Sequence, residues 1–74
     1  MTDREMIESL LQALKDAHAM GIDVRFAEGV AEGGEWLLLL VELEGIIDTK
    51  FVETCGLALK GARTHMGNPP DPYA

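Results

Sequence analysis

Residues 35–44 read EWLLLLVELE. Six apolar residues run unbroken from Trp36 to Val41, and beyond them acids alternate with apolar side chains. The alternation at Leu39, Val41 and Leu43 against Glu42 and Glu44 reads as a strand with one buried face. Turning Leu37, Leu39, Val41 and Leu43 inward keeps both glutamates in water, whereas the opposite parity buries two carboxylates without partners, which is costly. This reading leaves Trp36, Leu38 and Leu40 together on the outer face, to be covered by a second copy of the chain, by a partner protein or by the tail with Pro70 and Tyr73 folded back.

The flanking residues extend the same expectation. IDVRFA (residues 22–27) alternates strictly, with Ile22, Val24 and Phe26 on one side and Asp23, Arg25 and Ala27 on the other. EGVAEGGE (residues 28–35) carries three glycines, and Gly33-Gly34 is a turn signal. The pair is thus expected to form an antiparallel β-hairpin, with Ala27 joining the outer patch and Arg25 near Glu42 across the strands.

Two helices bracket this segment. TDRE (residues 2–5) places Thr2 at an N-cap and Glu5 three residues on, a capping box. Met6, Ile7, Leu10, Leu11, Leu14, Ala17 and His18 then form an amphipathic stripe, and Gly21 suits a C′ position, giving a helix over residues 3–20. Asp48 is the expected N-cap of a second helix, with Phe51, Val52, Cys55, Leu59, Ala62 and Met66 on its apolar stripe. Gly56 and Gly61 are unusual within it, each costing about 1 kcal/mol relative to alanine. Gly67-Asn68 ends it, and residues 68–74 read as a proline-rich extended tail. The expected fold class is therefore α+β: one α-β-β-α domain over residues 1–67, two helices on one face of the hairpin.

Length and charge narrow the function. A chain of 74 residues buries only roughly 60–65% of its unfolded surface, so its core is marginal alone. Cys55 is the sole cysteine, which excludes an intrachain disulfide and fits a reducing, cytoplasmic setting. With His18 and His65 far from it, no zinc spacing arises. Self-association through the hairpin, as a homodimer, is the remaining staple. The N-terminus lacks the pattern of a signal peptide, and no apolar run is long enough for a membrane helix. Thirteen acids against six basic residues give a net charge of −7, which argues against nucleic acid or anionic lipid and suits a basic partner protein.

Chemistry finds little purchase. Cys55 falls on an apolar stripe, where free cysteine behaves as a small hydrophobe. No carboxylate pair has a partner that would separate two pKa values for acid–base work. EGVAEGG lacks the lysine of a phosphate loop, and PPDPY (residues 69–73) departs by one position from a WW-domain ligand. No metal, cofactor or catalytic residue is expected.

The expected function is accordingly non-enzymatic: binding and inhibition of a partner with a basic, nucleic-acid-binding surface. Trp36, Leu38 and Leu40 form the apolar contact, and Asp23, Glu28, Glu32, Glu35, Glu42 and Glu44 the acidic one. Small size and acidity resemble phage-encoded anti-defence inhibitors, antitoxins and DNA mimics, in composition and not in motif. The alternative is a small-ligand or enzymatic module whose site is completed at a homodimer seam.

Overall fold

The computed structural model describes residues 1–67, and within them every regular element is helical: α1 (Asp3–Ala19), α2 (Arg25–Glu32), α3 (Trp36–Glu44) and α4 (Thr49–Met66). The β-hairpin expected over residues 22–44 is absent, and the α+β assignment gives way to an all-α bundle. The tail expected over residues 68–74 lies outside the described residues.

The outer helices follow the sequence signals. Thr2 Oγ1 accepts from Glu5 N–H at 3.1 Å while Glu5 Oε1 accepts from Thr2 N–H at 2.9 Å, closing the capping box. At the other end of α1, Gly21 takes φ 80°. Gly21 N–H donates to His18 O and Ile22 N–H to Ala17 O, so Ile22 folds back over the helix end. His18, expected on the core-side stripe, is exposed. Asp48 caps α4 by accepting from Phe51 N–H at 3.0 Å. α1 and α4 run antiparallel: Asp3 meets His65 at one end, and Asp16 meets Cys55 towards the other.

The middle segment obeys the helical period instead of the strand period. In α3, Leu39, Leu40 and Leu43 are each 0% exposed and Trp36 is half-buried, an i, i+3, i+4, i+7 stripe. Leu37, Leu38 and Val41 are 44%, 43% and 44% exposed. Three of the positions assigned by strand parity are thus reversed: Leu40 is core, while Leu37 and Val41 face out. Glu42 and Glu44 are exposed as expected, but a helix places them there as readily as a strand.

The IDVRFA segment also changes its reading. Asp23 Oδ1 accepts from Arg25 N–H at 3.1 Å, turning the chain into α2. Val24, Ala27 and Val30 are buried at helical spacing, whereas Phe26, expected inside, is 65% exposed. Ala27, expected on the outer patch, is core. Gly33-Gly34 does form the connection, but between two helices. Gly34 at φ 73° donates to Ala31 O while Glu35 N–H donates to Val30 O, the same helix-ending arrangement as at Gly21.

α1 and α3 each contact the three other helices, and α2 joins the bundle only through these two. The core is built from Met6, Leu10, Ala13, Leu14 and Ala17 of α1, Val24, Ala27 and Val30 at α2, Leu39, Leu40 and Leu43 of α3, and Phe51, Cys55, Leu59 and Ala62 of α4. No side-chain nitrogen or oxygen among the described residues is buried without a hydrogen-bond partner.

Leu38 and Leu40 separate the two readings experimentally, because a strand puts them on one face and α3 does not. Leu40→Ala is expected to lower unfolding free energy by about 2–5 kcal/mol through a core cavity, and Leu38→Ala by about 1 kcal/mol or less. Urea unfolding followed by circular dichroism measures both. Equal losses would contradict the helical placement.

Candidate interaction surface

The outward side of α3 carries an exposed apolar stripe. At about 100° per residue, Leu37, Val41 and Leu38 fall within an arc of roughly 100°. On that projection Glu44 lies just beyond one edge of the arc, and Glu42 just beyond the other. An α3 helix that is apolar on both sides is unusual in a soluble bundle, where one side normally carries polar groups. The acids at the two borders are what remains of that polar side.

Phe26 extends the feature onto α2. It lines a shallow hollow with Val24, Ala27, Val41 and Ile46, edged by Asp23 and Glu42. Phe26 and Val41 thus flank one depression, and a partner that fills it touches both helices. Contiguous exposed apolar side chains with a charged rim are the composition of a protein-contact surface.

The expected contact residues divide into four groups. Leu38 and Glu42 are exposed and belong to the α3 surface, and Glu35 stands exposed one residue before α3 begins. Trp36 is half-buried and packs against the core, and Leu40 is wholly inside, so neither forms the centre of an outer patch. Asp23 and Glu44 are exposed but already paired. Arg25 Nη2 donates to Asp23 Oδ2 at 2.9 Å, and that side-chain hydrogen bonding, with the nearby guanidinium charge, holds the Asp23 carboxyl down at about 2. Glu44 accepts from Arg63 Nε at 3.2 Å and pairs also with its Nη2, linking α3 to α4. Glu28 and Glu32 are exposed on α2. The expected Arg25–Glu42 cross-strand pair is replaced by Arg25–Asp23.

Leu37, Val41 and Phe26 belong to the surface and were hidden by the strand reading. The signal for Leu37 and Val41 was present as the second helical stripe 37, 38, 41, visible only once residues 36–44 are wound as a helix.

Cys55 sits 3% exposed on the inner side of α4, its Sγ 3.5 Å from Asp16 Oδ2. Burial first, then the hydrogen bond and charge of Asp16, push the thiol up to about 11. A nucleophilic thiolate needs the opposite environment. Among the described residues, no three His, Cys, Asp or Glu side chains cluster as metal ligands, and no helix is long and apolar enough to cross a membrane. The chain matches no protein-family model, and neither a curated protein nor a solved structure shows detectable similarity to it.

The Cys55 environment has a measurable signature. Its folded pKa lies above the ordinary thiol value, so the unfolded chain ionises first as pH rises. Unfolding free energy should therefore fall between about pH 9 and 11, by at most about 1.4 kcal/mol per pH unit. Cys55→Ala should cost about 1 kcal/mol near neutrality and remove that contribution to the slope. Denaturant melts at pH 7, 9 and 10 test this, and an unchanged alkaline slope in Cys55→Ala would refute it.

Proposed function

We propose that the chain is a non-enzymatic interaction module. It acts by engaging a basic partner protein through the outward side of α3 and the adjoining Phe26. The observation that carries this reading is the exposed Leu37, Leu38 and Val41 stripe bordered by acids in a molecule of net charge −7. Apolar side chains supply the contact that holds, and Glu35 and Glu42, which make no ion pair among the described residues, supply attraction at a distance. Asp23 and Glu44 contribute less, because each is already matched by an arginine of its own chain.

The partner that fits has an apolar centre and a basic rim. Nucleic-acid-binding proteins carry basic surfaces, so masking such a surface, and thereby inhibiting its owner, is the mode of action in this proposal. A reducing cytoplasmic setting accords with the single cysteine. Pairing of two copies through the same stripe is less favoured than it is for a hairpin. The open strand edges that argued for it do not exist among the described residues, and like acids flank the stripe.

The test is a kinetic one. Proteins retained from a lysate at low salt and released at high salt are purified, and each is measured against wild type and variants across a salt series. The Debye length is about 8 Å at physiological salt, so exposed acids steer approach and add little to final affinity. Replacing Glu35 and Glu42 together by Gln should slow association several-fold and leave dissociation nearly unchanged. Leu38→Lys and Val41→Lys should accelerate dissociation about tenfold or more while the helical spectrum is retained. A partner indifferent to salt, to both glutamates and to Leu38→Lys would remove the basis of the proposal. Sedimentation of the free protein reads the competing outcome: a dimer that Leu38→Lys dissociates would assign the stripe to a second copy.

A further inference from the structure

A second concave feature lies on the other side of α3. Between α3 and α4, Leu43, Ile46, Phe51, Val52 and Leu59 line a groove with about 330 Å³ of open volume. This is at the lower end of the range of small-molecule sites, which are apolar with a few polar groups at the margin. Here the margin holds Glu44 beside two cations, so that one positive charge is left over. Lys60 and Arg63, two of only six basic residues in the chain, stand at the groove. Arg63 is engaged by Glu44, while Lys60 makes no ion pair among the described residues. In a molecule of net charge −7, an apolar hollow beside an unengaged ammonium is an exception to the surrounding field.

Gly56 supplies an independent observation. It lies in the middle of α4 on the groove wall, where glycine weakens a helix. Packing among the described residues does not require it. A Cβ built there meets only Val52 Cγ1, at an ordinary 3.8 Å. Its φ also needs no glycine, since the positive values among the described residues belong to Gly21, Gly34 and Gly67. What the missing side chain does is leave the groove open. A body lying against the α4 backbone accounts for the glycine where the fold does not.

We propose that the α3–α4 groove binds a small amphipathic anion, its apolar chain lying over Gly56 between Ile46, Val52 and Leu59 and its carboxylate meeting Lys60. The size of the groove suits a short alkyl or aryl chain. The Lys60 ammonium at its mouth selects the anionic head, against the repulsion of the acids elsewhere on the molecule. The groove contains none of Leu37, Leu38 and Val41 and shares only Ile46 with the hollow beside Phe26, so the interaction reading and the ligand reading are tested by different substitutions.

The probes are octanoate and octylammonium, which share a chain and differ in the sign of the head group, each used below its micellar concentration. Titration into the ¹⁵N-labelled protein should shift the amides of Val52, Gly56, Leu59 and Lys60 with octanoate, and more weakly with octylammonium. Lys60→Glu should weaken octanoate about three- to fivefold and reverse the preference. Gly56→Leu should abolish the shifts while keeping or raising the unfolding midpoint, since leucine is the better helix former. Three outcomes overturn the proposal. Equal response to both probes would mean apolar adsorption alone. Octanoate shifts that persist in Gly56→Leu would place binding elsewhere. Groove amides that move with protein concentration and not with octanoate would give the groove to a second copy of the chain.

Discussion

Burial of Leu39, Leu40 and Leu43 in the core shared by the four helices is the constraint from which the other features follow. Each of the three side chains is completely excluded from solvent. Full burial of a leucine is worth about 1.5–3 kcal/mol relative to exposure. A nine-residue helix has no stability of its own in water and forms because packing holds it. α3 also has no side-chain cap at its start, so tertiary contact must supply what local chemistry does not. α2 depends on the same burial, since it reaches the bundle only through α1 and α3.

The two long helices were legible because several signals of different kind agree. Thr2 and Glu5 close a box, Gly21 supplies the left-handed residue, Asp48 caps α4, and each helix carries a stripe longer than any strand. Residues 22–44 lack that redundancy. Ile22, Val24 and Phe26 satisfy alternation over just three positions, and Val24, Ala27 and Val30 satisfy the helical period equally well. In α3, Glu42 and Glu44 are exposed in either winding, so the argument that excluded buried acids had no power to choose between them. The decisive fact was the spacing 36, 39, 40, 43, which an unbroken apolar run conceals: when every residue is apolar, any period fits. Gly34 was legible as a turn but not as a helix end, because Gly-Gly serves both.

The candidate surface was legible in kind and only partly in membership. An uncovered apolar patch with an acidic border emerges from either winding, since the run from Trp36 to Val41 holds more apolar side chains than one face can bury. Membership depends on the period. Leu38 survives the change, Leu40 moves into the core, and Leu37 and Val41 move out. Ion pairing was not legible at all. The links from Asp23 to Arg25 and from Glu44 to Arg63 depend on the α2 start and on the α3–α4 approach, neither of which a hairpin provides. Those two acids therefore enter the charge count without being free to meet a partner.

The same residues that fix α3 in the bundle also fix what it displays. Leu37, Leu38 and Val41 share backbone turns with Leu39, Leu40 and Leu43, so the outer stripe cannot shift without moving the inner one out of a close-packed core. The stripe is held rigid at no further entropic cost, and a partner docking on it would not have to order it. The Arg63–Glu44 link adds a second restraint at the end of α3 and leaves the groove floor, with Leu43 and Phe51, equally fixed. One short helix thus sets both concave and convex features of the surface, and its two sides answer to different forces. The inner side is held by burial, which the fold requires. The outer side is left largely in water, where three large apolar side chains weaken solubility and contribute little to stability. A bordering pair of glutamates limits that cost but does not remove it, and contact with a partner is the physical arrangement that does.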